Sequence, residues 1–444
     1  MRQQYDSYKP TGIHWIPIIP SHWQISSVGK HYQVILGKML CPKPIDASYT
    51  LEEYYCAGDV HFDGFNNLNL KQMWFSPEEK DKYLVKDNDL LIVEGGAGAG
   101  GCALARVSDD AERYIQNSIL IARHPKNSTA LLKYIIENFV RAGYIDGVCN
   151  EATFAHFTKE KVSHVPYPLM PYAEQEAIAA WLDKKCYDID AAIAKVDREI
   201  ELIDELKQSE ISRVVTCGLN PDAPLRPSGI DWINEIPFNW SSMKLKHTVK
   251  NIETDFMDGD WIESNDIATE GIRYLTSGNI GAGFYKEQGD GFITEETFAK
   301  LDCIEVFPGD LLISRLNEPI ARTCFIPALG CRIVTCVDNV IYRPKSGKFD
   351  KRYMMYQLNS KPFWFNASQL SSGATMQRIS RSKLGAIKVI VPPLPEQQAI
   401  ADYLDKKCAE IDGLKAKLTK KRETLAELRQ SIISEVVTGK RKVI

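Results

Sequence analysis

The sequence lacks the features of a membrane or secreted protein. No apolar run approaches the ~20 residues that span a bilayer. The opening residues, 1–10, include no apolar segment of the kind that directs secretion. The 11 cysteines are odd in number, scattered, and without a CxxC pair, which is typical of reduced thiols inside a cell. These absences predict a cytoplasmic protein.

Motifs for cofactor or metal chemistry are also missing. There is no GxxxxGK[ST] phosphate loop. The stretch 96–101 contains a GxGxxG pattern, but the segment after it is too short for the helix that a nucleotide-binding loop requires. Cys324, Cys331 and Cys336 lie close together without a histidine near them, so we interpret them as strand-core cysteines. We expect no metal, no cofactor and no catalytic residue.

The net charge of −4 gives no indication of nucleic-acid binding, but the charge is unevenly distributed. Between 320 and 383 the acidic residues are Asp338 and Asp350 alone, among many lysines and arginines interleaved with aromatics. The stretch 253–310 before it is rich in Asp and Glu. A basic face on an acidic domain is a plausible nucleic-acid footprint, and a solvated charge run is the alternative.

What the chain does contain is a duplication. Residues 174–218 align without a gap onto 396–440, and about half of the positions are identical, beginning with EQEAIAAWLDKKC against EQQAIADYLDKKC. A second repeat precedes each half: PTGIHWIPIIPSHW (10–23) matches PSGIDWINEIPFNW (227–240). A tandem duplication predicts two similar parts in the structure and in the function.

The duplicated segments enclose two mixed blocks with short β-rich runs, 24–170 and 241–391. These blocks are faintly related, since Asp87–Ile92 corresponds to Pro308–Ile313, Gln116-Asn117 to Asp338-Asn339, and Ala152-Thr153 to Ala374-Thr375. We divide the chain into a first globular domain (1–172), a helix with the start of a linker (173–218), a linker with the second domain (219–394), and a final helix (395–444).

Apolar residues in the two helical segments recur in steps of three and four, which is the coiled-coil pattern. Because a lone rod of this length is unstable, it must pair, and the economical partner is its own repeat. An antiparallel pair would relate the two domains by a pseudo-twofold axis. The alternative is that each helix packs on its own domain. The predicted seam comprises Leu182, Ile189, Ile193, Val196, Ile200, Leu414, Leu418, Leu425 and Leu428.

The repeated segments resemble those of the specificity subunit of type I restriction–modification enzymes. The PxxEQxxIAxxLD segments resemble that family's conserved spacer regions, and so do the GIxWxxxIPxxW segments at 12–23 and 229–240. The resemblance spans the whole chain in the family's order. It implies an α+β fold with two α/β target-recognition domains separated by two long antiparallel coiled-coil helices.

The resemblance implies a function without chemistry in the chain itself. Each domain would bind one half of a bipartite double-stranded DNA target, and the helices would set the spacer. The helices would also dock two adenine methyltransferase subunits, and the complex would recruit a restriction and translocase subunit. A methyltransferase resembling the family's partner needs an Asn/Asp-Pro-Pro-aromatic loop, whereas Pro392-Pro393 is flanked by Val391 and Leu394. A coiled-coil scaffold with two protein-binding domains is the alternative function, and an unrecognised enzyme is a second one.

Candidate DNA-binding residues follow from position and chemistry. Arg315 and Asn317 come after a strand and are expected at a loop tip, where Arg can pair with guanine and Asn with adenine. A cluster after Ala374-Thr375 is the leading candidate in the second domain: Gln377, Arg378, Arg381 and Lys383. The first-domain equivalents are His156, Lys159 and Lys161. Four tryptophans repeat with the scaffold and are expected to be packing anchors: Trp15, Trp23, Trp232 and Trp240.

Overall fold

The computed structural model describes residues 3–107, 111–149, 155–373 and 376–443. The chain forms two compact units. Unit 1 comprises Met1–Asp197 and Lys420–Ile444, and unit 2 comprises Arg198–Thr419. Two long helices belong to both units, α6 (Tyr172–Cys217) and α12 (Leu394–Val437), and each continues from one unit into the other.

The remaining elements of unit 1 precede α6. They are β1 (Tyr8–Ile13), β2 (Ile16–Pro20), β3 (Gln24–Ser27), α1 (Val28–His31), β4 (Gln33–Leu36), β5 (Thr50–Tyr55), β6 (Val60–His61), β7 (Gly64–Phe65), β8 (Lys71–Phe75), α2 (Pro77–Tyr83), β9 (Leu90–Val93), β10 (Cys102–Leu104), β11 (Tyr114–Ile115), β12 (Ile119–Arg123), α3 (Thr129–Arg141), α4 (Tyr144–Val148), α5 (Lys159–His164) and β13 (Pro166–Leu169).

The remaining elements of unit 2 lie between the two long helices. They are β14 (Leu225–Ile230), β15 (Ile233–Pro237), β16 (Ser241–Lys244), α7 (Ile252–Asp255), β17 (Phe256–Asp258), β18 (Ile272–Leu275), β19 (Phe292–Ile293), α8 (Glu295–Leu301), β20 (Leu311–Ser314), β21 (Thr323–Phe325), β22 (Ile333–Thr335), β23 (Asn339–Tyr342), α9 (Lys351–Leu358), α10 (Lys361–Gln369), α11 (Arg381–Ala386) and β24 (Lys388–Val391).

The two units share one sheet topology. Unit 1 has a four-stranded antiparallel sheet in the order β10-β9-β12-β4, and unit 2 repeats it as β21-β20-β23-β17. A three-stranded sheet follows in each, β11-β5-β8 and β22-β18-β19, with one parallel pair and one antiparallel pair. Every residue of the central strands β9 and β20 is buried, and all of them except Ser314 are apolar. The faint relation between the mixed blocks is therefore a shared fold.

The short repeat before each domain is a hairpin that anchors a tryptophan. Strands β1 and β2 pair from Tyr8↔Pro20, and β14 and β15 pair in the same register. Trp23 and Trp240 directly follow the hairpins and are almost fully buried. The Trp23 Nε1 donates to Glu174 Oε1 at 3.0 Å, which ties the hairpin to the first turn of α6. The prediction that these tryptophans are packing anchors is confirmed, with Trp15 and Trp232 partly buried against the same cores.

The two long helices contact each other in both units, and they run antiparallel. In unit 1, Asp190 pairs with Arg429 at 3.0 Å and Asp197 with Arg422 at 2.6 Å. In unit 2, Asp204 pairs with Lys415 at 2.7 Å and Lys207 with Asp412 at 2.7 Å. The three aspartates of α6 are spaced seven residues apart, and their partners on α12 are spaced seven residues apart in the reverse order. This spacing is the register of an antiparallel coiled coil.

The buried seam differs from the predicted one on α12. Leu182, Ile189 and Val196 are buried, and Ile193, Ile200, Leu418 and Leu425 are partly buried. Leu414 and Leu428 are 49% and 44% exposed, so the prediction is wrong at these two positions. The side chains that reach α6 are those of the next residues, Lys415 and Arg429, together with Arg422. Their charged groups meet aspartates of α6.

The repeated EQ and LD residues fasten each helix to a domain. In unit 1, Gln175 accepts from the Ser128 backbone N at 2.9 Å, and Asp183 accepts from the Tyr134 hydroxyl at 2.7 Å. In unit 2 the same bonds join Gln397 to the Asp350 backbone N at 2.9 Å and Asp405 to the Tyr356 hydroxyl at 2.7 Å. Each helix therefore packs on its own domain and on the other helix, so both sequence-based alternatives are part of the structure.

The described part of the chain includes no helix that is both long and apolar enough to cross a membrane. It also includes no group of histidine, cysteine or carboxylate side chains that could hold a metal ion. Cys324 and Cys336 are buried, as expected for strand cores, but Cys331 is exposed and the prediction is wrong there. The glycines at 96–101 lead into strand β10 instead of a helix, as the length of the segment predicted.

Candidate nucleic-acid interface

Each unit presents one surface where the central strand of its four-stranded sheet ends. We call it the strand-end surface, and it consists of 94–96 and 155–161 in unit 1 and of 315–317 and 376–383 in unit 2. In unit 2, Arg315 N donates to Asp338 O at 2.8 Å and Ile379 N donates to Arg315 O at 3.0 Å. In unit 1, Glu94 N donates to Ser118 O at 2.8 Å and Phe157 N donates to Glu94 O at 2.6 Å. One backbone framework therefore carries both surfaces.

Arg315 is an internal residue of this surface. Its side chain is 6% exposed, and its guanidinium donates to Ile379 O at 3.3 Å and to Val337 O. Asp258 lies 3.2 Å from the same group. Burial lowers the pKa of Arg315, Asp258 opposes the shift, and Arg378 adds to it. The expectation that Arg315 stands at a loop tip is wrong, because its guanidinium holds neighbouring segments together from inside.

Asn317 does stand at the loop tip, and it is exposed. Its φ of +61° is in the left-handed region, which Asn tolerates better than most residues. Asn317 N donates to Gln377 O at 3.0 Å, and the equivalent bond in unit 1 runs from Gly96 N to Ala155 O at 3.3 Å. Gly96 also has a positive φ, +87°. Asn317 thus satisfies the same backbone turn as a glycine while adding a side-chain amide at the surface.

The four residues predicted after position 375 are all exposed on the unit 2 surface. Gln377 accepts from the hydroxyls of two nearby serines at 3.4–3.5 Å. Arg378 pairs with Asp338 at 2.9 Å, Arg381 lies 3.4 Å from Asp258, and Lys383 donates to Leu370 O at 3.1 Å. Both arginine side chains remain 43% exposed. The structure brings these residues together with Asn317, while Ala374 and Thr375 lie outside the described residues.

The unit 1 surface has a different charge pattern. His156 occupies the backbone position of Arg378, because it forms a bridge with Gly95 as Arg378 does with Leu316. The His156 Nδ1 lies 3.2 Å from Glu94 Oε2. Lys161 donates to His156 O at 2.8 Å, and Lys159 is exposed at the start of α5. Ala152 and Thr153, named in the sequence alignment, lie outside the described residues.

The basic stretch of the sequence does not form one basic face. Arg322 is partly buried and donates to backbone carbonyls such as Ile280 O at 2.9 Å. Three further arginines pair with carboxylates outside the stretch: Arg332 with Glu295 and Glu305 (2.6 and 2.9 Å), Arg343 with Asp310 (2.7 Å), and Arg352 with Asp402 and Asp405 (2.8 and 2.7 Å). The unneutralised positive charge that faces solvent is therefore smaller than the sequence predicted.

Three acidic residues in or beside the two surfaces were not among the predicted site residues: Glu94, Asp258 and Asp338. Asp338 was instead paired with Gln116 in the alignment of the two blocks. The hydrogen bonds correct this, because Ile119 N donates to Gln116 O as Asn339 N donates to Cys336 O. The structural equivalent of Asp338 is Ser118, and that of Arg315 is Glu94. The sequence does indicate that Glu94 and Arg315 are equivalent, since each directly follows the buried run of a central strand.

The sequence matches a known family over its second domain and known relatives over nearly its whole length. Residues 240–421 match the family model described as the type I restriction modification DNA specificity domain. The type I restriction enzyme MjaVIII specificity subunit of Methanocaldococcus jannaschii is 25% identical over 96% of this chain and 94% of its own. The EcoKI specificity subunit of Escherichia coli K12 is 36% identical over 16% of each chain.

Solved structures show the same fold. A chain from a type I R-M system, studied for its complex assembly and conformational transition, superposes with a TM-score of 0.71 and 16% identity, covering 94% of this chain and 98% of that one. The HsdS subunit from Thermoanaerobacter tengcongensis superposes with a TM-score of 0.50 and 16% identity over 95% and 98%. Residues 240–421 therefore match the type I restriction–modification DNA specificity domain, and over nearly its whole length the chain is similar to a type I specificity subunit.

Proposed function

We propose that this protein selects a bipartite DNA target for a type I restriction–modification complex. Each unit binds one half of the target through its strand-end surface. The antiparallel pair of α6 and α12 fixes the number of base pairs between the two halves.

One observation carries the proposal: the two strand-end surfaces have the same backbone and different side chains. Equivalent hydrogen bonds position Glu94 and His156 in unit 1, and Arg315 and Arg378 in unit 2. Two copies of one framework with different exposed groups suit two different base sequences. An arginine presents donors suited to guanine, and a carboxylate accepts from cytosine N4.

The exposed side chains divide into two roles under this proposal. Gln377 and Arg378 are the candidates for base contacts, since amide and guanidinium groups match base edges in the major groove. Lys383 and Lys159 are the candidates for phosphate contacts, which give affinity and salt dependence but no sequence information. In unit 2, Arg315 acts from beneath the surface by holding the segment that carries Gln377 and Arg378.

The proposed partners follow from the family. Two adenine methyltransferase subunits dock on the helix pair, and a restriction and translocase subunit joins the complex. The chain itself carries no catalysis and needs no cofactor, so methyl transfer and cleavage belong to the partners.

Mapping methylated adenines tests the proposal. The chain is co-expressed with its methyltransferase in cells that lack other adenine methylation, and the modified sites are sequenced. We expect one bipartite sequence with a constant spacer. Methylation without a sequence preference, or at a single uninterrupted sequence, contradicts the proposal.

Salt dependence separates DNA binding from a scaffold role. Filter binding of the full chain to duplex DNA at several salt concentrations should give a steep fall in affinity with salt, because phosphate contacts release counterions. A scaffold that binds only proteins gives no such slope.

A further inference from the structure

A large apolar side chain stands exposed at the same place in each unit. Met39 is 76% exposed in unit 1, and Trp261 is 68% exposed in unit 2. Both come two residues after a buried glycine, Gly37 or Gly259, just beyond the edge strand β4 or β17.

The backbone that carries these side chains is fixed in the same way in both units. Gly37 N donates to Ile119 O at 3.0 Å, and Gly259 N donates to Asn339 O at 2.9 Å. A Cβ added at Gly259 would lie 2.3 Å from the Thr335 carbonyl oxygen, and one added at Gly37 would lie equally close to a carbonyl. Because the chain passes so close to its neighbour, the position two residues later is held at the surface.

In unit 2 this position adjoins the strand-end surface. Val337 N donates to Asp260 O at 2.9 Å, directly before Trp261, and the next residue, Asp338, pairs with Arg378. Asp258, three residues before Trp261, lies 3.4 Å from Arg381. The tryptophan therefore emerges from the segment that pairs with Arg381, and this segment is hydrogen-bonded to the one that pairs with Arg378.

Unit 1 repeats this arrangement. Asn117 N donates to Lys38 O at 2.8 Å, directly before Met39. The residue after Asn117 is Ser118, whose carbonyl accepts from Glu94 N at 2.8 Å. The exposed methionine thus adjoins the surface of Glu94 and His156, as the tryptophan adjoins that of Arg378.

An exposed tryptophan costs free energy that a bound partner recovers by covering it. The Trp261 Nε1 donates to Glu263 Oε1 at 3.3 Å, while most of the ring remains exposed. A partner that covers an apolar ring near Arg378 and Arg381 must present flat apolar surface next to negative charge. Stacked bases beside phosphates have this chemistry, and proteins insert apolar side chains against base steps.

We propose that Met39 and Trp261 contact the base stack of duplex DNA, one in each half-site. The inference rests on the proposed function, and it adds an apolar contact to the polar surface. The different side chains give the two halves different preferences, since a tryptophan ring stacks on bases whereas a methionine fills gaps of varied shape.

The test uses the full chain and duplexes selected by it from a random-sequence pool. Affinity is measured for Trp261→Ala, Trp261→Phe and a control, Phe307→Ala. Phe307 is 51% exposed and lies at the opposite end of β20 from Arg315. Duplexes with 2-aminopurine placed at each position of a half-site report local unstacking.

We expect Trp261→Ala to weaken binding to the selected duplex by at least about fivefold and to abolish the 2-aminopurine signal in one half-site. Trp261→Phe should retain most of the affinity and most of the 2-aminopurine signal. Phe307→Ala should match the original chain in both measurements. Met39→Ala should act on the other half-site. Unchanged thermal unfolding of the variants shows that the fold is intact.

A result that contradicts this inference alone can be distinguished from one that contradicts the proposed function. Selection of a bipartite duplex, followed by unchanged affinity and fluorescence in Trp261→Ala, overturns this inference and leaves the proposed function standing. A pool that yields no preferred duplex overturns the proposed function and, with it, the inference.

Discussion

Glu94 and Arg315 occupy the same backbone position in their two units and carry opposite charges. Each N–H donates at 2.8 Å to the carbonyl of the residue directly before the neighbouring strand, and each carbonyl accepts from a backbone N–H, that of Phe157 in unit 1 and that of Ile379 in unit 2. A charge reversal at a preserved position changes what the surface can bind without changing how it is built. The duplication thus preserved a framework while the side chains of the two strand-end surfaces diverged.

Replacing Gln377, Arg378 and Arg381 together with alanine should relax recognition of one half-site only. The reason is that these side chains belong to a single strand-end surface, and each lost base contact costs about 1–3 kcal/mol. Methylated-site mapping measures the preference at each position of both halves. The matched variant, His156→Ala with Lys159→Ala, should relax the other half, and equal relaxation of both halves by either variant refutes the assignment.

Asn317 allows its backbone role to be separated from its side-chain role. Asn317→Gly should keep the left-handed turn and leave the free energy of unfolding within about 0.5 kcal/mol, whereas Asn317→Ala should lose about 1 kcal/mol. Chemical denaturation measures both. If the amide contacts a base, Asn317→Gly loses selectivity despite its intact fold, and unaltered selectivity assigns Asn317 to the turn alone.

The Glu137–Arg429 ion pair should contribute strongly to unit 1. The Glu137 carboxylate is fully buried and lies 2.5 Å from the Arg429 guanidinium, with Arg141 as a second partner at 3.0 Å. Arg429→Ala should cost about 2 kcal/mol, less than for a buried carboxylate left without any partner. A double-mutant cycle with Glu137→Gln should give a coupling of about 1–3 kcal/mol, and a coupling near zero would show that Arg141 alone suffices.

Two glycines of unit 2 should respond in opposite directions to alanine. Gly259→Ala places a methyl group against backbone carbonyls and should destabilise the protein by about 3 kcal/mol. Gly413→Ala meets nothing within 4 Å on the exposed side of α12 and should stabilise it by about 0.5–1 kcal/mol. Thermal unfolding compares the two, and a tolerated Gly259→Ala would contradict the close approach described above.

Sequence periodicity predicted the two long helices to within about two residues at most ends, because a 3-4 pattern sustained over about 40 residues has few alternatives. The seam on α12 was partly wrong, because a search for apolar residues selects Leu414 and Leu428. The side chains that meet α6 there belong to Lys415 and Arg429. Their contribution depends on aspartates of the other helix, which local periodicity does not include.

The surface charge was harder to predict, since ion pairs join distant parts of the chain. Arg352 meets Asp402 and Asp405 on α12, about fifty residues away in the sequence. Arg315 follows a strand like many exposed loop residues, yet the segment at 376–383 covers it. Gln377, Arg378, Arg381 and Lys383 lie close together in sequence, and all four are exposed. Their role in DNA binding stays a prediction.

The most direct test of the account lengthens the helix pair. Seven residues inserted into both α6 and α12, where each passes between the units, keep the coiled-coil register and add about 10 Å, the rise of about three base pairs. Methylated-site mapping of this variant should show the original half-sites with a longer spacer. Unchanged half-sites with an unchanged spacer would contradict the claim that the helices set the distance.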